Sequence, residues 1–150
     1  GDVILQEALD ILPDDTTGTL EARLATLGAR MAVDATRMYT AGGPVEGTKQ
    51  DPALVTKAPK IKKEFGLIDW SKPADYIERF VRAMQPWPTA YTFLHRPGKE
   101  PMRVIVSRVE QTWSTSAMFA HSFTPGAVSL RDIEGSPRLS VNAGVATGVE

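Results

Sequence analysis

The chain has 150 residues, of which 42% are hydrophobic and 23% charged, a composition typical of folded globular proteins rather than disordered ones. It contains no cysteine, which excludes disulfide bonds and thiolate chemistry, and no apolar run near the ~20 residues of a membrane-spanning helix. The net charge of −1 is unevenly divided: residues 1–51 hold nine acids and four bases (−5), and residues 52–150 hold nine acids and thirteen bases (+4). This division favours an anionic partner for the second part, and a solvated surface without a partner is the alternative.

An extended segment is predicted over residues 2–12, since its apolar start (Val-Ile-Leu at 3–5) favours a strand and Pro-Asp-Asp at 13–15 ends it. A helix over residues 5–12 is the alternative. The chain opens on Gly1 and not on methionine, and apolar residues follow at once. We therefore expect it to be part of a longer polypeptide.

A long amphipathic helix is predicted over residues 17–41. Apolar residues recur there at intervals of three and four and form one face: Leu20, Leu24, Leu27, Met31, Ala35 and Met38. The hydroxyl of Thr16 or Thr17 is expected to cap its start, and the Gly-Gly-Pro sequence at residues 42–44 is expected to end it.

A connection between two domains is predicted over residues 44–59, which lack periodicity and are long for a loop within one small domain. Four lysines lie at and just beyond its end: Lys57, Lys60, Lys62 and Lys63. Lysine attracts phosphate over a long range and without strict geometry, so this run is a candidate binding site for a polyanion. The alternative is a solvated lysine run beside a domain boundary.

A second helix is predicted over residues 72–84, with Ser71 as its cap. Its apolar stripe is expected to be buried: Ile77, Phe80, Val81 and Met84. Two ion pairs are expected on its outer side: Asp75 with Arg79, and Glu78 with Arg82. Trp70 and Trp87 flank the helix and are expected to be packing anchors rather than base-stacking platforms.

Short strands separated by Gly and Pro turns follow this helix, a pattern that predicts a small barrel or sandwich. Four strands are predicted: residues 91–95, 102–109, 128–130 and 139–141. Residues 112–124 are expected to form a loop. Val104 and Val106 are expected to face inward, and Ile105 is a third candidate for the inward face. Arg103 and Arg108 alternate with apolar residues and are candidates for the outer face, although half-buried sheets carry polar outer residues in any case.

The motifs, in their order along the chain, resemble those of methionyl-tRNA formyltransferases. The helix start Asp-Thr-Thr-Gly-Thr-Leu lies at residues 15–20, and Arg-Leu-Ala follows at 23–25. The most specific segment runs from Ala-Pro-Lys-Ile at residues 58–61 to Ile-Asp-Trp-Ser at 68–71, and Pro-Trp-Pro at 86–88 completes it. Each short match alone is weak, and their shared order and spacing carry the resemblance.

The resemblance implies an α+β chain in three parts. These are a strand–helix remnant of a Rossmann-like formyltransferase domain (residues 1–44), a basic linker (45–63) and an OB-like β-barrel, incomplete at its end (64–150). It implies formyl transfer from 10-formyltetrahydrofolate to the amino group of methionyl initiator tRNA by a cytoplasmic enzyme that is a monomer at full length. The portion in hand is expected to bind the tRNA through its basic residues: Lys57, Lys60, Lys62, Lys63, Arg103 and Arg108.

The family's catalytic Asn, His and Asp correspond to positions upstream of Gly1, so the resemblance places no catalytic residue in this chain. His95 and His121 are its two histidines, and neither has an acid or amide at a recognisable spacing. Both are expected to be ordinary turn or loop residues. We therefore expect these 150 residues alone to have no transferase activity.

Two other functions stay open at this point. One is a different folate-dependent activity, that of a nucleotide-sugar formyltransferase or a formyltetrahydrofolate hydrolase. Those relatives share the Ile-Asp-Trp and Pro-Trp-Pro elements but usually lack the lysine-rich form of residues 58–64. The other is a stand-alone, non-catalytic nucleic-acid-binding module that uses the basic linker alone.

Overall fold

The structure is a computed structural model that describes residues 1–110, 128–133 and 136–141, the last two ranges by their backbone only. The chain divides into two units, Gly1–Ile61 and Lys62–Glu150. Helices and antiparallel strands occupy separate stretches, which confirms the predicted α+β class. The elements in chain order are α1 (Thr17–Thr40), 3-10 turns at Pro52–Leu54 and Lys63–Gly66, α2 (Ala74–Ala83), β1 (Ala90–Arg96), β2 (Lys99–Val106), β3 (Val128–Ile133) and β4 (Ser136–Val141).

Helix α1 begins and ends close to where its sequence signals predicted. Thr16 is the cap, since its Oγ1 accepts the N–H of Thr19 (3.2 Å) while Thr19 Oγ1 accepts the N–H of Thr16 (2.9 Å). These reciprocal bonds satisfy two backbone donors that a bare helix start would leave unpaired. The helix stops at Thr40, and Gly42 follows with a φ of 78°, which glycine adopts without strain.

Residues 2–12 do not form the predicted strand. In this stretch Val3 makes one isolated antiparallel bridge with Thr48, with N···O distances of 2.9 Å in both directions. Further along, Arg23 of α1 donates to the carbonyl oxygen of Asp10 (2.9 Å). The backbone of this stretch therefore bonds to a single bridge residue, to a helix side chain and, at Leu12, to Asp15, and not to a neighbouring strand.

The apolar face of α1 is only partly covered. None of its residues is fully buried, and Leu24 and Met38 are 48% and 40% exposed. The four buried core residues found in the described part of the chain all belong to the second unit instead. Periodicity predicted the helix correctly. In the first unit, polar contacts at the start of α1 hold the segment that precedes α1 against the helix.

The core of the second unit forms where α2, β1 and the segment before α2 meet. Four apolar residues are buried there: Ile68, Ile77, Val81 and Ala90. Partly buried residues pack around them: Trp70, Phe80, Met84, Val106 and Val109. The predicted stripe of α2 is confirmed, because Ile77 and Val81 are only 3% and 1% exposed. Burial of side chains of this size contributes about 1.5–3 kcal/mol each.

The sequence predicted that Ser71 caps helix α2. The helix instead begins at Ala74, and Ser71 does not cap it. The N–H (3.0 Å) and the hydroxyl (2.6 Å) of Ser71 both donate to Asp69 Oδ1. Pro73 takes the cap position, and its carbonyl accepts the N–H of Ile77 (3.0 Å). The local turn around Asp69 holds Ser71 outside the helix, which explains the shift of the cap.

The two tryptophans that flank α2 differ in their surroundings. Trp70 is partly buried, and its Nε1–H donates to Thr92 Oγ1 (2.9 Å), so it is the packing anchor that was predicted. Trp87 is 54% exposed, so its predicted anchoring role is wrong. It lies in the turn between α2 and β1, where the core does not enclose the indole.

A Pro-Gly turn joins β1 and β2, with Gly98 at a φ of 66°. Pairing starts at once, with Arg96 opposite Lys99, as expected for a tight antiparallel hairpin. Strand β2 therefore runs to Val106 and lies earlier in the chain than the predicted range 102–109.

Strands β3 and β4 form a second two-stranded antiparallel sheet, with Val128 opposite Val141. Strand β3 contains the predicted range 128–130, and β4 contains the predicted range 139–141. Each strand extends beyond its predicted range. The loop predicted at residues 112–124 lies outside the described residues. The described strands form two separate sheets, and the OB-like barrel stays a prediction.

Candidate nucleic-acid interface

The lysine run spans the sequence boundary between the two units. Lys57 and Lys60 lie in the irregular end of the first unit, and Lys62 and Lys63 begin the second, where Lys63 opens the 3-10 turn. All four side chains are exposed. The chain itself keeps them together, since the six peptide steps from Lys57 to Lys63 reach at most about 20 Å when fully extended.

Two carboxylates that follow this run in sequence, Asp69 and Asp75, are engaged by other groups. Asp75 accepts a hydrogen bond from Arg79 (2.8 Å), which lowers the pKa of that carboxyl. The Ser71 hydroxyl is the main cause of the lowered pKa of Asp69, which also lies 3.9 Å from the Lys72 ammonium. None of the ion pairs found within residues 1–110 involves a lysine of the run. Their charges are therefore available to a polyanion.

The β1–β2 sheet has two distinct faces, because residues directly opposite each other in an antiparallel pair share a face. The inward face carries Ala90, Thr92, Val104 and Val106, as predicted for the two valines. The opposite face, which we call the outer sheet face, carries Tyr91, Phe93, Arg103 and Ile105. Tyr91 lies opposite Ile105, so the candidate inward placement of Ile105 is wrong, and Phe93 lies opposite Arg103.

Arg103 lies over an aromatic ring of the outer sheet face. Its guanidinium carbon is 4.0 Å from the centroid of the Tyr91 ring, a cation–π contact. Phe93 meets Tyr91 edge to face, with centroids 5.9 Å apart and planes at 88°. No carboxylate of the described residues forms an ion pair with Arg103. Arg103 thus occupies the outer face, as predicted, and its binding role stays a prediction.

Arg108 does not share this face. Strand β2 ends at Val106, and Arg108 follows it with its guanidinium 3.2 Å from the carboxylate of Glu110. The Arg108 side chain is 82% exposed. Its predicted place on the outer face is wrong, because the strand ends before it and a neighbouring acid pairs with it.

The turn that begins with Lys63 packs beside the outer sheet face. A Cβ atom on Gly66 would lie 3.3 Å from Tyr91 Cδ1 and 2.1 Å from the carbonyl oxygen of Thr89. The next segment continues this contact, since the N–H of Ile68 donates to the carbonyl oxygen of Tyr91 (2.9 Å). The basic turn and the aromatic face are therefore adjacent parts of one unit. Sequence reasoning missed this pairing, and its one local signal was the alternation of aromatic residues along β1.

Candidate catalytic groups are sparse in the described part of the chain. His95 is exposed on β1, where its imidazole has no hydrogen bond or ion pair with the residues described, and His121 lies outside them. A cavity of about 600 Å³ in the first unit is lined by residues 3–6 and 48–51 with Leu54 and Val55, and these include no histidine. Across the described ranges there is no cluster of three potential metal ligands, and neither helix is long and apolar enough to span a membrane.

Residues 60–137 match the family model described as "Formyl transferase, C-terminal domain". The matched stretch is more than half of the chain. The chain belongs to the formyl transferase family. Within the match lie three of the four lysines, the whole outer sheet face and the core of the second unit.

Curated proteins named methionyl-tRNA formyltransferase are similar to the chain. That of Porphyromonas gingivalis is 42% identical over 113 residues, which cover 73% of this chain and 35% of that protein. That of Chloroflexus aggregans is 35% identical over 150 residues, which cover 100% of this chain and 45% of that protein. That of Anaeromyxobacter dehalogenans is 47% identical over 94 residues, which cover 63% of this chain and 30% of that protein. The chain spans less than half the length of these relatives.

Proposed function

We propose that the chain is the C-terminal portion of a methionyl-tRNA formyltransferase and that it contributes tRNA binding. The match of residues 60–137 to the family's C-terminal domain carries the proposal, and relatives of that name support it. The proposed reaction of the whole protein moves a formyl group from 10-formyltetrahydrofolate to the amino group of methionyl initiator tRNA. In such a transfer the amine attacks the formyl carbon, donors stabilise the developing oxyanion, and a base takes the ammonium proton.

The proposed organisation has three parts. Residues 1–44 are the end of a Rossmann-like catalytic domain, residues 45–63 are a basic linker, and residues 64–150 form an OB-like tRNA-binding domain that includes β1 to β4. The division of the chain after Ile61 supports a boundary near the end of this linker. At full length the protein is proposed to be a cytoplasmic monomer.

No step of the transfer is assigned to the described residues. The imidazole of His95 is exposed and has no orienting partner among them, and Asp51, the carboxylate that lines the cavity of the first unit, accepts the N–H of Ala53. These residues therefore do not fit a site that activates the folate donor. The catalytic groups are proposed to lie upstream of Gly1, and the chain alone is proposed to be inactive.

Electrostatic attraction to phosphates is the proposed basis of tRNA binding. The four exposed lysines of the run take part in no ion pair within the described residues, and Arg103 adds a fifth unneutralised base. Contacts of this kind position a nucleic acid and carry no base information. The names of the relatives do not favour a nucleotide-sugar formyltransferase or a hydrolase.

Binding of the chain to initiator tRNA across a salt series tests the tRNA-binding role. We expect the logarithm of the affinity to fall linearly with the logarithm of salt concentration. The combined change of Lys60, Lys62 and Lys63 to Ala should flatten that slope by about 0.7–0.9 for each phosphate that the variant no longer neutralises. Lys72→Ala is the matched control, because Lys72 lies outside the run and is paired with Asp69. An unchanged slope in the triple variant rejects the role of the lysine run.

A fusion protein tests the proposed reaction. The chain would be joined to the N-terminal part of the Chloroflexus aggregans relative, replacing the segment with which it aligns. We expect the fusion to formylate methionyl-tRNA and the chain alone to show no turnover. Turnover by the chain alone contradicts the proposed location of the catalytic groups. A folded fusion that formylates a nucleotide sugar and not the tRNA contradicts the proposed substrate.

A further inference from the structure

The outer sheet face combines aromatic and cationic side chains, a chemistry that attraction to phosphate alone does not require. We infer that this face binds an unpaired stretch of RNA, with one base stacked on Phe93 and an adjoining phosphate held by Arg103. The inference rests on the proposed tRNA-binding function. It differs from that function in kind, because stacking recognises an unpaired base whereas the lysine run responds only to charge.

Phe93 supplies an exposed aromatic surface in a fixed place. It is 44% exposed, whereas on the inward face Ala90 is fully buried and Val104 is partly buried. The edge-to-face contact with Tyr91 and the backbone ladder between β1 and β2 hold its ring. A pre-positioned ring loses little conformational freedom on binding. It is therefore suited to stack on any base, since every base presents a flat π surface.

Arg103 supplies a positioned charge beside that ring. Its backbone lies opposite Phe93, and its guanidinium rests 4.0 Å from the centroid of Tyr91. The ring limits the motion of the guanidinium but leaves its charge unneutralised, whereas a carboxylate partner would neutralise that charge. No ion pair with a described residue competes for it. Its planar N–H groups can therefore donate to two oxygens of one phosphate.

The charge around the face is complementary to RNA. The β1–β2 hairpin carries three bases, Arg96, Lys99 and Arg103, and one acid, Glu100. The turn that starts at Lys63 reaches the same surface, because its Gly66 lies against Tyr91. A duplex would offer phosphates to these cations but would keep its bases stacked within the helix. An unpaired segment uses the cations and the aromatic ring together, and it is the occupant we infer.

Two RNA probes separate stacking from charge. The first is a single-stranded oligoadenylate with one fluorescent 2-aminopurine, and the second is a blunt RNA duplex of the same length. We expect the wild-type chain to quench the 2-aminopurine on binding. Phe93→Leu should weaken binding of the single strand about tenfold with its salt slope unchanged, and should leave duplex binding as it was. Phe93→Tyr should retain the quenching.

Tyr76→Leu is the matched control for the removal of a surface aromatic. Tyr76 lies on α2 and is 46% exposed, so its replacement should change neither the affinity for the single strand nor the affinity for the duplex. Saturated binding of the wild-type chain without quenching overturns the inference, and so does an equal weakening of single-strand and duplex binding in the folded Phe93→Leu variant. Failure of the wild-type chain to bind tRNA and both probes overturns the proposed function itself. The quenching measurement needs no variant, so a misfolded Phe93→Leu protein leaves the inference testable.

Discussion

Gly66 lies so close to Thr89 that a Cβ atom on the glycine would be 2.1 Å from the threonine carbonyl oxygen. Gly66 ends the 3-10 turn that Lys63 opens, and Thr89, with a φ of 70°, immediately precedes β1. The contact is between two backbones, so no side chain can rotate away to relieve it. It fixes the basic turn beside the sheet that carries Arg103.

Replacing Gly66 with Ala should therefore destabilise the second unit. The added methyl group must displace the Thr89 carbonyl, and overpacking of this kind costs about 1–3 kcal/mol. Urea unfolding followed by tryptophan fluorescence measures the effect, because all three tryptophans lie in residues 62–150. Gly28→Ala is the control: a Cβ there meets no atom within 4 Å, and alanine favours the helix by up to about 1 kcal/mol. Equal stability of the Gly66→Ala and wild-type chains would show that the close approach does not exist.

The hydrogen bond between Trp70 and Thr92 should stabilise the same unit. Trp70 Nε1–H donates to Thr92 Oγ1 at 2.9 Å in a partly buried position. Thr92→Val keeps the shape but removes the acceptor, and we expect the free energy of unfolding to fall by about 1 kcal/mol. Trp70→Phe tests the same bond from the donor side, and the double variant should show a coupling energy of about 0.5–1.5 kcal/mol. Unfolding followed by far-UV circular dichroism gives all four stabilities, and additive effects would mean that the bond contributes nothing.

The start of α1 should depend on pH through Asp15. Its carboxylate accepts the N–H of Leu12 (2.8 Å) and the hydroxyl of Thr19 (2.9 Å) and pairs with Arg23. Together these contacts, the Leu12 bond foremost, lower the pKa of Asp15 from its ordinary value of 3.8. Because the folded pKa lies below the unfolded one, the stabilisation is present above the unfolded pKa and is lost as pH falls through the folded pKa.

An NMR titration of the Leu12 amide measures this pH dependence at the residue concerned. We expect its chemical shift to change with a midpoint below pH 3.8, together with fraying of the first turn of α1. Asp15→Asn removes the titrating group and should abolish that change while weakening the helix start at neutral pH. A midpoint at or above the ordinary value would show that these bonds do not hold the carboxylate in its charged form.

The sequence predicted local features well, and the structure shows where local information stops. The periodicity of α2 identified Ile77 and Val81 as core residues, because the spacing of apolar residues within one short segment is enough to define a helical stripe. The start of β2 was missed, because the tight turn at Gly98 sets the register and begins pairing at once. The contact of Arg103 with Tyr91 depends on that register, so no local pattern predicts it. Likewise, Gly66 reads as an ordinary turn residue until Thr89 is placed beside it.

Arg103 and Arg108 should contribute unequally to tRNA binding, although both are exposed arginines close together in sequence. Arg103 meets an aromatic ring and no described carboxylate, whereas Arg108 lies 3.2 Å from the carboxylate of Glu110. An ion-paired base gives up part of its attraction for phosphate to its partner. Arg103→Ala should therefore weaken binding and flatten the log-salt slope by up to about 0.9, and Arg108→Ala should do less. Glu110→Gln should strengthen binding by releasing Arg108, and filter binding over a salt series compares all three. A larger effect of Arg108→Ala than of Arg103→Ala would mean that RNA reaches the end of β2 and bypasses the outer sheet face.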